Sequence, residues 1–85
     1  MKKVYLVYDI FDDNEECITY EYLQEIHSSS DSAKMACDRL ADNLLENYTN
    51  DGITAHKGVD DDGNIAIFRA DNCVDHFTIE EWSVS

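Results

Sequence analysis

SSSDSAKMACDRLADNLLENYTN, residues 28–50, is the one long stretch of this chain with helical periodicity, and the runs on either side of it read as strands. Ala33, Ala36, Cys37, Leu40, Ala41, Leu44 and Tyr48 recur at spacings of three and four, which places them in one apolar stripe. Asp38, Arg39, Asp42, Asn43, Glu46 and Asn47 fill the opposite side. Ser28 to Ser30 supply N-cap oxygens, and Ser28 with Asp31 three residues on forms a variant of the capping box. Asp31 also sits at the positive end of the helix dipole. Asn50 or Gly52 can take the left-handed conformation that stops the helix. The polar side holds an anomaly: Asp38, Asp42 and Glu46 stand at i, i+4 and i+8, so like charges line up one turn apart, at a cost of roughly a few tenths of a kcal/mol per pair. Only Arg39 and Lys34 are near enough to offset that row.

Outward from the helix, residues 3–11, KVYLVYDIF, are apolar on both faces: Val4, Leu6, Tyr8 and Ile10 on one, Tyr5, Val7 and Phe11 on the other. Such a run predicts a central strand, covered on at least one side. Asp12-Asp13-Asn14-Glu15-Glu16 is a turn by composition. Cys17 to His27 then alternates Ile18, Tyr20, Tyr22 and Ile26 with Thr19, Glu21, Leu23 and Glu25, which predicts a strand in a hairpin with the first. Register fixes Glu21 and Glu25 on the face opposite the tyrosines. Beyond the helix, Ile53–Val59 and Asn64–Ala70 flank Asp60-Asp61-Asp62-Gly63, a hairpin signal in which the first run either pairs or serves as a loop. Asp71-Asn72 turns the chain into Cys73–Val84. There Cys73, Asp75, Phe77 and Ile79 share one parity and Trp82 and Val84 the other, which suggests a bulge at Glu80-Glu81 or else two partly covered faces. The expected fold is α+β: one helix on a four- or five-stranded, mostly antiparallel sheet, ordered ββαβββ or ββαββ, in a single domain over residues 1–85.

A chain of 85 residues buries only about 60–65% of its unfolded surface, too little for both a large core and a deep catalytic cavity. Met1-Lys2-Lys3 runs directly into alternating residues rather than an apolar leader, and no run nears the roughly 20 apolar residues of a membrane span. A cytoplasmic protein is expected. Cys17, Cys37 and Cys73 form no CxxC pair and read as reduced, mostly buried thiols. His27, His56 and His76 have no metal-ligand neighbour at a standard spacing, and a metal or cofactor is not expected. Asp60–Asp62 invites a calcium loop, but with Gly63 at loop position six the first and twelfth positions fall on Gly58 and Arg69, which cannot ligate. An acidic turn is the plainer reading, a weak cation site the alternative. No nucleophile elbow or phosphate loop is present, and the many carboxylates look solvated, whereas acid–base work needs one that is desolvated. An enzyme is therefore not expected.

Charge is the informative quantity. Nineteen acids against six bases leave a net charge of −13. That field repels nucleic acid and anionic membrane and suits a basic protein partner. Stacking of bases on Tyr5, Tyr20, Tyr22 and Phe68 fails on the same ground, so the tyrosines are expected in the core under the helix. A surface that keeps destabilising acid rows is better explained when a partner with Lys/Arg grooves for phosphate meets it. The candidate contact residues are Asp38, Asp42 and Glu46 on the helix, Asp12, Asp13, Glu15 and Glu16 in the first turn, and Asp60, Asp61 and Asp62 in the third.

The opening KKVYLVYDIF, the strand-to-helix passage EIHSSSDSAKMA and the closing FTIEEWSVS resemble the small orphan proteins of phages and prophages. In size, acidity and one-helix sheet the chain is also similar to anti-CRISPR and other phage inhibitors of host defence, including those that mimic DNA. The resemblance implies a stoichiometric inhibitor in the nucleic-acid groove of a Cas or other host protein. The alternative is an acidic regulatory module, a monomer or a homodimer through an exposed sheet edge, without mimicry.

Overall fold

The computed structural model describes residues 2–84. The elements run β1 (Lys2–Asp13), β2 (Ile18–His27), α1 (Ser30–Asn50), β3 (Ala55–Val59), β4 (Ile65–Arg69) and β5 (Cys73–Val84), the expected ββαβββ. The strands form one sheet in the order β2-β1-β5-β4-β3, every neighbouring pair antiparallel. β1 is central, between β2 and β5, and the Ile53–Val59 run does pair, through Ala55–Val59.

The helix buries Ala33, Ala36, Cys37 and Ala41 against Val7, Ile67 and Phe77, with Tyr5, Leu40, Leu44, Leu45 and Tyr48 packed around them. Small side chains on the helix let it approach the sheet closely, and the larger groups from the strands fill the space. The cap falls within the expected Ser28–Ser30, on Ser29, which accepts from the Ser32 amide at 3.2 Å, so Ser28 with Asp31 is not the capping box. Of the two candidate stops it is Gly52 that turns left-handed, at φ 77°.

Two expectations about strand faces are corrected. β1 and β5 pair in continuous register from Lys2↔Val84 to Asp13↔Cys73, so no bulge falls at Glu80-Glu81. Trp82 and Val84 simply belong to the sheet face turned away from the helix, with Val74, His76 and Thr78. The irregularity lies in β2, where Val7↔Glu25 is followed by Tyr8↔Leu23 and Gln24 is the extra residue. One extra residue reverses parity. Glu25 therefore shares the helix side with Tyr20 and Tyr22, while Glu21 lies on the other.

Nor are those tyrosines core. Tyr20 and Tyr22 are 48% and 49% exposed, their rings stacked at 6.2 Å. The helix leaves β2 at its C-terminal end, where Ser32 meets His27, and finishes over β4 and β5, where Tyr48 lies on Arg69 and donates to Asp75. It so crosses away from Ile18–Tyr22. The opposite sheet face has no second layer. Val4, Leu6, Tyr8 and Ile10 are only half-buried there, and Leu23, Ile26 and Trp82 are exposed.

Candidate acidic interaction surface

The outer face of the helix carries Asp38, Asp42 and Glu46 in a solvent-exposed row, as expected, but the row is not bare. Lys57 reaches up from β3 and sets its ammonium 2.5 Å from Asp38 Oδ1 and 2.8 Å from Asp42 Oδ1. Asp38, and after it Asp42, hold the Lys57 amine above its ordinary range. Lys34 and Arg39 therefore do not neutralise the row. Arg39 instead donates to both Glu25 oxygens, at 2.7 and 2.8 Å, and with His27 beside it keeps that carboxyl below the usual range. Glu46 has no counter-ion within reach among the described residues.

The turn acids divide into structural and free. Asp13 accepts from the Glu15 and Glu16 amides and closes the β1–β2 turn. Asp12 accepts from the Thr19 hydroxyl at 2.7 Å. Asp60 accepts from the Asp62 and Asn64 amides at 2.9 and 2.8 Å, an Asx turn that organises the β3–β4 loop. His76 then joins turns far apart in sequence: its Nδ1 lies 2.7 Å from Asp60 Oδ2 and its Nε2 3.0 Å from Asp12 Oδ2. Burial pushes the Asp60 carboxyl up, but His76 and the two amides outweigh it and hold the group below its ordinary range. With Asp60 so engaged, no group of three or more His, Cys, Asp or Glu among the described residues is arranged for a metal ion. Glu15, Glu16, Asp61 and Asp62 remain exposed and without a cationic partner among the described residues.

His76, which holds Asp12 and Asp60, faces away from the helix, Asp38, Asp42 and Glu46 project outward from it, and Asp13, Glu15, Glu16, Asp61 and Asp62 lie at the turns, so the ten acids share no one face. They form a halo, not one continuous patch. Four of the six Lys and Arg are already paired inside the fold, as Lys3–Glu81, Arg39–Glu25, Lys57–Asp38/Asp42 and Arg69–Asp71.

The expectation that every carboxylate is solvated is wrong for two residues. Asp75 is 2% exposed and accepts from the Tyr48 hydroxyl at 2.5 Å. Asp9 lies beside it on the same sheet face, with a buried Oδ1 that meets no donor. Burial first, then Asp75, pushes the Asp9 carboxyl up to about 8. Burial, then Asp75, likewise raises the Tyr48 phenol. The sequence signal was available: Asp9 stands between Val7 and Phe11, and Asp75 between Cys73 and Phe77, at the same parity. The depression beside Asp9, lined by Gln24, Leu40, Asn43, Leu44, Asn47 and Phe77, encloses about 150 Å³. Small-molecule sites run to about 300–1,000 Å³, so this depression is smaller than such sites usually are.

Fold and surface together define a small two-layer α+β protein with an acidic halo and one uncovered sheet face. Comparison with family models, with curated proteins and with solved structures returned no match. No helix among the described residues is long and apolar enough to cross a membrane.

Proposed function

We propose that the chain is a non-catalytic, acidic inhibitor of the anti-CRISPR kind. It acts in the bacterial cytoplasm by occupying the cationic groove of a Cas or other nucleic-acid-handling host protein. One observation carries this reading. The internal ion pairs consume four of the six cations, and Glu15, Glu16, Glu46, Asp61 and Asp62 are left exposed with no cationic partner among the described residues. Free carboxylates at both ends of the sheet and along the helix cost self-repulsion in the isolated chain and are relieved by a Lys/Arg-lined surface. They meet that surface as separated charges, as phosphates do.

The test is capture of partners from a bacterial lysate at low salt, elution in a salt gradient, and competition of the captured protein with a DNA duplex. Affinity should fall steeply with salt, and the duplex should displace the chain. Reversal of Glu46, Asp61 and Asp62 to Lys should weaken binding by about tenfold or more while the circular dichroism is unchanged, because a loss of about 1.4 kcal/mol suffices for that factor. These three are better probes than Asp38 and Asp42, whose reversal would also strand Lys57. Binding indifferent to salt, or to both the duplex and the reversals, would sink the proposal.

A further inference from the structure

Among the described residues, Oδ1 of Asp9 is the one buried side-chain oxygen that meets no hydrogen-bond donor. Such an orphan costs stability, and in a native fold it calls for a partner. Asp9 lines the depression between α1 and β2, which encloses about 150 Å³. At about 30 Å³ per water, that space takes roughly five heavy atoms, the count of a guanidinium with the methylene that carries it. Three carboxamides, those of Gln24, Asn43 and Asn47, ring the space. Gln24 spends an amide hydrogen on the Tyr22 carbonyl, which leaves its own carbonyl as an acceptor. Tyr22 is the cross-strand partner of Asp9, and its half-exposed ring stacks on that of Tyr20.

The charges around Asp9 are one-sided. From β5 it faces Asp75, which is buried and accepts from the Tyr48 hydroxyl of α1. Glu46 stands between Asn43 and Asn47 in the helix sequence and has no counter-ion among the described residues. The cations of the flanking elements are committed elsewhere. Arg39 donates to both oxygens of Glu25 on β2, where His27 also bonds. Arg69 of β4 pairs with Asp71, its guanidinium over the rings of Phe11 and Tyr48. Neither bonds to Asp9. Carboxyl groups, carbonyl acceptors and an aromatic face with no cation among them are the complement of an organic cation.

We propose that this cleft seats one arginine side chain of the basic partner, its guanidinium bonded to Asp9 and to the carboxamide carbonyls and laid against Tyr22. The inference rests on the reading of a basic partner and names the residue that anchors it. A guanidinium suits the cleft better than an ammonium, because its planar fork of five donors reaches several acceptors at once and stacks on a ring. Burial and Asp75 keep the Asp9 carboxyl protonated up to about pH 8. Entry of the cation therefore breaks the carboxyl O–H bond and sends the proton to solvent, leaving a carboxylate–guanidinium pair, since a neighbouring opposite charge favours the ionised form. Binding tightens as pH rises towards 8.

Titration of acetyl-Gly-Arg-Gly-amide into the isotope-labelled chain, followed by amide chemical shifts in about 150 mM NaCl to screen the outer carboxylates, decides the matter. Shifts at Asp9, Gln24, Asn43 and Asn47 should saturate, with a Kd on the order of 1 mM at pH 8. Affinity should fall by about tenfold or more from pH 8 to pH 6. The same peptide with citrulline in place of arginine keeps the shape without the charge and should bind at least about tenfold less well. Asp9→Asn, with circular dichroism unchanged, should lose both the binding and its pH dependence. No saturation at those four residues, equal binding of the citrulline peptide, an affinity level in pH, or an Asp9→Asn chain that binds like the wild type overturns the proposal. Shifts confined to Glu15, Glu16, Asp61 and Asp62 overturn the cleft and leave the reading of a basic partner standing. Lysate capture indifferent to salt ends that reading whatever the peptide does.

Discussion

Asp9 shows how one side chain ties this fold to pH. Its folded carboxyl titrates far above the unfolded value of 3.8, chiefly through burial and then through Asp75. The folded chain therefore keeps a proton that the unfolded chain has lost. The group's contribution is full below about pH 4 and is lost as pH rises towards 8. Asp9→Asn removes the ionisable group and leaves a neutral side chain of the same shape at every pH. It should raise stability at pH 8 by about 1–3 kcal/mol, the usual cost of an unsatisfied buried polar group, and flatten the pH dependence between 5 and 8. Thermal melts of both proteins at the two pH values measure this; a wild-type melting temperature that is level or rising from pH 5 to 8 would refute it.

At the scale of the element, the helix depends on its first turn more than on its outer face. Ser29 satisfies the Ser32 amide and its hydroxyl also donates to Ser32 Oγ, which in turn lies 3.0 Å from His27 Nδ1. Strand end and helix start are thus one hydrogen-bonded unit. Ser29→Ala should destabilise the protein by about 1 kcal/mol in urea titration, as N-cap losses do. Ser28→Ala should change it little, although the local pattern ranks Ser28 and Asp31 as the box. The row Asp38, Asp42, Glu46 reads as a defect in an isolated helix. In the folded chain Lys57, from an element beyond the next turn, repairs two thirds of it.

For the molecule as a whole, the excess of thirteen acids is a global strain. Because the carboxylates surround the fold on both sides, no single internal pair relieves it, and screening by salt should. The melting temperature of the purified chain should rise by a few degrees between about 10 and about 300 mM NaCl, as the Debye length drops from about 30 Å to well under 10 Å. A melting temperature that falls over that range would show that the internal ion pairs outweigh the repulsion. Salt should thus stabilise the free protein while it weakens the proposed complex, a pair of opposite signs that a neutral interaction module would not give.

The sequence by itself determined the elements: a 3.6-residue stripe between period-two runs, bounded by serines, an Asp-Gly turn and an acidic turn, admits little but a helix on an antiparallel sheet. It also determined the net charge, which is a sum and needs no geometry. Only the tertiary structure decided faces and pairings. A single extra residue at Gln24 reversed the parity of half of β2, and periodicity read one strand at a time cannot locate it, because a bulge is defined by the partner strand. The path of the helix exposed Tyr20 and Tyr22, whose composition alone says core. Lys57 with Asp38, His76 with Asp12 and Asp60, and Asp9 with Asp75 are separated by 16 or more residues in all four contacts. Which carboxylates are free, which are structural and which one titrates high follows from those long-range contacts, since desolvation and Coulomb energy depend on distance in space and not along the chain.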